Sequence, residues 1–95
     1  MPAYIIADVD VTDPVRYEEY KKLAPPAIAK YGGRYLVRGG AHETLEGTWT
    51  PRRLVILEFP DLDRARAFYH SPEYAVARAA RSGAATGNFV IVQGL

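Results

Sequence analysis

The sequence predicts an α+β domain in which a four-stranded antiparallel sheet carries two helices on one face. Three observations point to it. Two runs rich in β-branched and aromatic residues, Arg34–Arg38 and Arg53–Phe59, sit between punctuation at Gly32-Gly33, Gly39-Gly40, Pro51 and Pro60, the pattern of paired strands. Two stretches with apolar residues at three- and four-residue spacing, opened by Asp13-Pro14 and by Asp61 and Ser71-Pro72, read as amphipathic helices. Strand-like runs also stand at the two ends, Ala3–Val11 and Phe89–Gln93. The order strand, helix, strand, strand, helix, strand makes two split βαβ units, the ferredoxin-like βαββαβ arrangement, in one domain over residues 1–95.

Both alternating faces of Ala3–Val11 begin apolar, which places this strand at the centre of the sheet. Asp13 caps the first helix, and Pro14 fits its first position, where a missing N–H costs nothing. Tyr17, Tyr20, Leu23, Ala24, Ala27, Ile28 and Tyr31 form one stripe over a charged back, and Gly32-Gly33 ends the helix. Pro25-Pro26 interrupts it. Each removes a helical hydrogen bond and crowds the preceding turn, which predicts a kink or two short helices. The link between the two middle strands is long and holds His42, Glu43, Glu46 and the only tryptophan, Trp49; long loops on a rigid scaffold are where function collects. Asp61–Tyr69 turns Leu62, Ala65 and Phe68 inward, and Ser71-Pro72 restarts the helix through Tyr74 and Ala77. Gly83–Asn88 reads as a loop before the last strand.

Composition closes several function classes. With no cysteine among 95 residues, disulfides, thiolate metal sites and thiol nucleophiles are excluded. Two histidines twenty-eight residues apart make no zinc cluster, so no metal is expected. A net charge of +1, from twelve scattered basic and eleven acidic residues, gives no electrostatic footprint for nucleic acid. RRLVILEF lacks the glycine and stacking aromatics of an RNA-binding strand. No apolar run approaches the ~18 residues of a membrane span, and Met1–Tyr4 leads straight into a strand without an export signal, so the expected location is cytoplasmic.

Strand alternation assigns Ile5, Ala7, Val9, Tyr35, Val37, Val55, Leu57, Phe59, Val90 and Val92 to the helix side. The open face then carries Tyr4, Ile6, Leu36, Leu54, Ile56, Phe89 and Ile91, with Asp8, Asp10, Arg34, Arg38, Arg52, Glu58 and Gln93 among them. Such a face projects roughly 350 Å², near the limit for a soluble monomer, and the economical cover is a second copy packed sheet to sheet.

DVTDPVRYEEY, PPAIAKYGGRYLVRGG, LEGTWTPRRLVILEFP and FYHSPEY, spread over nearly the whole chain, resemble the family called domain of unknown function 1330 (DUF1330). That resemblance implies a dimeric α+β barrel, in which two ferredoxin-like sheets close on each other. Relatives in that superfamily include cofactor-free monooxygenases, haem-degrading monooxygenases and isomerase-like enzymes, but fold does not fix function. The haem-degrading pattern, as the resemblance implies it, wants an asparagine on the first strand and a tryptophan and histidine on the second helix. Asp8, Phe68-Tyr69 and Arg78 stand there instead, so haem chemistry is not expected; no other cofactor is expected either.

The candidate chemistry falls in three places. Asp10, Glu58 and Arg34 are expected at one end of the open face, with Arg34 opposite Glu58 as a cross-strand pair. Tyr4, Arg38, Arg52 and Gln93 are expected at the other end, beneath the loop of His42, Glu46 and Trp49. There an arginine and a histidine beside an aromatic wall would hold a small carboxylate or phenolate and move its proton. Between helices and sheet, Tyr17, Tyr20, Tyr31, Tyr69 and Tyr74 form an aromatic population that Arg53 and Glu58 would reach from the ends of the third strand. His42, Arg38 and Glu58 are thus the catalytic candidates, and Tyr4, Tyr20, Trp49, Arg53 and Tyr69 the ligand-binding ones. Three readings stay open: a cofactor-independent enzyme on a small aromatic or acidic metabolite, a small-ligand binding module, and a structural homodimer without a site.

Overall fold

The computed structural model describes residues 1–95. Its elements are β1 (Ala3–Val11), α1 (Pro14–Lys30), β2 (Arg34–Arg38), β3 (Leu54–Phe59), α2 (Leu62–Tyr69), α3 (Pro72–Arg81) and β4 (Ala85–Gln93). The strands form one sheet in the order β2-β3-β1-β4, with antiparallel neighbours throughout. This is the ferredoxin-like arrangement read from the sequence. No helix is long and apolar enough to cross a membrane.

The second helical stretch is broken into α2 and α3 by a single buried polar residue. Ser71 has extended backbone; its Oγ donates to Phe68 O at 2.6 Å and accepts from Tyr74 N at 3.0 Å. One hydroxyl thus closes α2 and caps α3, which is why it tolerates burial at 4% exposure. The core lies between helices and sheet, where Ile5, Leu57, Phe59, Phe68 and Tyr74 meet Ala24, Ala27 and Ala77. Gly33 belongs to this packing: a Cβ there would lie 2.5 Å from the Phe59 ring.

Five expectations are corrected. Of the alternatives at Pro25-Pro26, two short helices are excluded: one helix runs through both prolines, because Tyr17, Ala24, Ala27 and Ile28 are buried along its whole length and hold both halves on the sheet. β4 begins at Ala85 rather than Phe89: its ladder with β1 runs from Val11↔Ala85 to Ala3↔Gln93, and this pairing overrides the weak strand propensity of Gly87-Asn88. Within it Phe89 opposes Ala7 on the helix side while Val90 and Val92 oppose Ile6 and Tyr4 on the open side, the reverse of the expected assignment. The two ends were also mismatched. Tyr4 pairs with Glu58 and Ala3 with Gln93, so Tyr4 and Gln93 share the Arg34–Glu58 end, and Asp10 lies at the far end.

The fifth correction matters most for the site. The β2–β3 register shifts between Tyr35 and Val37, so that Tyr35 opposes Leu57, Val37 opposes Ile56 and Arg38 opposes Val55. This bulge inverts strand parity beyond Leu36. Val37 turns to the open face and Arg38 to the helix side.

Phe68 is 1% exposed and stacks between Phe59 and Tyr74, with ring centroids at 5.1 and 4.4 Å. Phe68→Ala is expected to lower stability by about 3–5 kcal/mol, read by urea denaturation.

Candidate functional site

Between α1, α3 and the sheet lies a small cavity of about 30 Å³, room for a water or two as it stands. Apolar walls come from Ile5, Ala7, Val9, Val55 and Leu57 of the central strands, with Phe68 and Phe89. Tyr17, Tyr20, Tyr35, Tyr69 and Tyr74 add an aromatic lining. The spacing of Tyr17, Tyr20 and Lys21 brings all three to one face of α1.

Every charged group on the lining is a cation: Lys21, Arg38 and Arg53. They converge where β2 ends and β3 begins. Arg38 lies over the Tyr35 ring, 4.6 Å from its centroid, and its Nη2 donates to Lys21 O across a long 3.4 Å. Arg53 packs its guanidinium over Gly39, whose φ of +71° and missing side chain leave the room; a Cβ there would collide with Arg53 Nη1. Lys21 Nζ pairs with Glu18 at 3.2 Å, whereas neither Arg38 nor Arg53 meets a carboxylate, and Arg53 Nε is buried without a partner. The site is therefore electropositive at its rim and apolar beneath.

The deeper polar feature is a phenol pair. Tyr20 and Tyr74 hydroxyls stand 2.7 Å apart, and either can donate. Burial pushes both phenols up, Tyr20 the more strongly; for Tyr74 the bond from Tyr20 and the Arg81 guanidinium pull in the opposite direction. Burial likewise raises Tyr35 against the opposing charge of Arg38. All three stay neutral at ordinary pH and act as hydrogen-bonding groups. Arg81 backs the pair from α3, over the Phe89 ring at 4.7 Å and the Tyr20 ring at 5.5 Å.

Of the residues singled out from sequence, Arg38, Arg53, Tyr20 and Tyr69 come together on this cavity. The others stand elsewhere. Glu58 lies on the open face, held by Arg34 Nη2 at 2.7 Å and Nε at 2.8 Å, and Tyr4 is its cross-strand neighbour on β1. His42 stays within the exposed loop, with Nδ1 3.2 Å from Gly40 O and Nε2 2.8 Å from Pro51 O. Trp49 donates from Nε1 to Asp8 Oδ2 at 2.8 Å, while Arg52 N donates to Asp8 Oδ1 at 2.9 Å. The loop is thus a braced structure pinned to Asp8. Tyr31 leaves the aromatic population to donate to Glu73 at 2.7 Å. Sequence reading passed over Lys21, Tyr35 and Phe89. Helical spacing from Tyr17 would have found Lys21; Phe89 was hidden by the length of β4. No cluster of three or more histidine or acidic side chains is arranged to hold a metal.

The family model for the domain of unknown function DUF1330 matches residues 2–95. The chain belongs to the DUF1330 family. No curated protein matches it in sequence. Among solved structures, the DUF1330 chain is similar to RPA0582 of Rhodopseudomonas palustris, a protein of unknown function, with TM-score 0.75 and 19% identity over 99% of this chain and 82% of that one. It is similar to a dimeric ferredoxin-like protein of unknown function from Jannaschia, with TM-score 0.70 and 12% identity over 99% and 100%. It is also similar to SnoaB from Streptomyces nogalater, a cofactor-independent oxygenase, with TM-score 0.67 and 12% identity over 99% and 93%. At these identities the likeness shows the fold.

The loop brace titrates. Both His42 nitrogens face carbonyl oxygens, so only the imidazolium donates both bonds, and the Pro51 and Gly40 carbonyls raise its pKa from 6.5. The Trp49 and Arg52 donors lower Asp8 from 3.8. A raised histidine contributes fully below its unfolded value and loses that contribution as pH climbs through the folded one. A lowered carboxylate contributes above its unfolded value and loses it as pH falls through the folded one. The loop is therefore tightest between about pH 4 and 6.5. Trp49 fluorescence is expected to titrate with a midpoint above 6.5, and in His42→Ala this transition should vanish while His70 remains.

Proposed function

We propose that this DUF1330 protein is a cofactor-independent enzyme acting on a small aromatic or otherwise apolar metabolite that carries an acidic group. The observation that supports it is the lining itself: an aromatic interior whose charged groups are all cations, two of them without a carboxylate partner. An apolar body would lie among Tyr17, Tyr69 and Phe89, with its acidic oxygen toward Arg38 and Arg53. Positive charge there lowers the pKa of a phenol or enol, each unit corresponding to about 1.4 kcal/mol. The proton leaves to water at the rim, and the guanidinium groups hold the resulting anion. The likeness to SnoaB brings cofactor-independent chemistry to this chain as an analogy of fold. The second reading, a binding module, is favoured by a specific feature: no carboxylate or histidine lines the cavity to act as base.

The enzyme reading extends to a homodimer through the open sheet face. Leu36, Val90 and Val92 are 45%, 58% and 43% exposed there in a single chain, beside half-buried Ile6, Leu54 and Ile56. The Jannaschia relative is described as dimeric. Covering these residues removes an apolar surface unusual for a monomer.

Two experiments test these readings. Incubation with phenolic and enolisable acids, followed by mass spectrometry, is expected to give turnover that Arg53→Ala lowers by about 10²-fold in kcat/KM. Tight binding of the panel without product would leave the binding module. Val90→Arg, at an exposed edge-strand position, is expected to give a folded monomer by sedimentation, whereas an unchanged dimer would move the interface off this face.

A further inference from the structure

We propose that, beside the ionising phenol or enol, the metabolite carries a monocarboxylate anchored on Arg38, and that Arg38 is held in place by the backbone carbonyl that Pro25 releases from α1. This deepens the proposed function and rests on the same cavity. In an α-helix the carbonyl of Lys21 accepts from the N–H of residue 25. Residue 25 is proline, which has no N–H and whose ring pushes that carbonyl away from the helix axis. The freed Lys21 O is the atom that Arg38 Nη2 reaches, 3.4 Å away. The bulge in β2 brings Arg38 to this side of the sheet, and the Tyr35 ring supports its guanidinium from below.

An arginine left to solvent would sample many rotamers. Here one donor is spent on a fixed carbonyl, and no carboxylate of the chain occupies the others. A planar fork with spare parallel donors matches the two oxygens of a carboxylate. Arg53, packed against Gly39 and with its Nε unpartnered, adds a second cation to the lining. Apart from Lys21, which is paired with Glu18, the remaining lining is apolar or phenolic. Since the closed cavity has room only for water, a ligand of this class enters by displacing the rim, and the Lys21 carbonyl restores Arg38 over it.

The two prolines give an internal control. Pro26 frees the Lys22 carbonyl, which Arg38 does not touch. Both Pro25→Ala and Pro26→Ala restore a helical N–H and are expected to raise the melting temperature. Only Pro25→Ala should weaken the site. Calorimetric titration with benzoate and phenylacetate, against benzamide and phenylphosphonate, reads the difference. Expected are carboxylates binding at least tenfold tighter than benzamide and phenylphosphonate, a loss of at least tenfold in Pro25→Ala and in Arg38→Met, and no loss in Pro26→Ala. Equal affinities in the two proline variants would overturn the positioning role. Benzamide or phenylphosphonate binding as well as benzoate would overturn the carboxylate anchor while leaving the cavity reading intact. Binding of none of the four would overturn both.

Discussion

Strand parity is the constraint on which the site depends. Arg34 and Arg38 are four residues apart on β2, so in a regular strand they would share a face. Arg34 is committed to the open face by Glu58. The bulge between Tyr35 and Val37 breaks that rule at one point and sends Arg38 to the opposite side. Without it the open face would carry one more charge amid its apolar residues, and the cavity would lose one of its two unpaired cations. Gly39 follows at once, and its left-handed backbone makes the space that Arg53 fills. A bulge that re-aims a side chain beside a cavity is a device, not a defect.

α1 shows a second departure from local preference, and it meets the first. Proline inside a helix costs about 3 kcal/mol or more, and two in succession are tolerated only because packing offsets the loss. Tyr17, Ala24, Ala27 and Ile28 bury the helix on both sides of the interruption. One of the two carbonyls left without a helical donor receives Arg38. The two local irregularities of the fold, a bulge and a helical proline, thus meet in a single hydrogen bond at the rim. Sequences tend to break their own rules at functional sites.

Much of this was legible in the chain. Paired Gly and Pro signals marked the hairpin, Asp13 and Ser71 marked two of the caps, and the tyrosines at helical spacing announced an aromatic layer under α1. Parity was not legible. A bulge has no fixed composition, so Arg38 was read onto the wrong face from correct strand boundaries. The same limit reversed Val90 and Phe89, because Gly87-Asn88 has weak strand propensity and only pairing with β1 fixes where β4 starts. The Trp49–Asp8 bond spans forty-one residues, beyond any local pattern. His42 looked chemical for the reason histidines usually do, yet both its nitrogens serve the loop.

These placements narrow the chemistry. A proton acceptor on the protein would have to be a carboxylate, an imidazole or a phenolate near the ligand. The carboxylate Glu58 is paired on the far face, the imidazole of His42 is engaged outside, and burial holds Tyr20, Tyr35 and Tyr74 as phenols. What the cavity does offer is unbalanced positive charge at the rim of an apolar space, where screening is weak. Such a site acts on the acidity of what it binds. On the proposed reading, its substrates would be compounds whose own ionisation makes them reactive, and the protein's part would be to hold that ionised form in place.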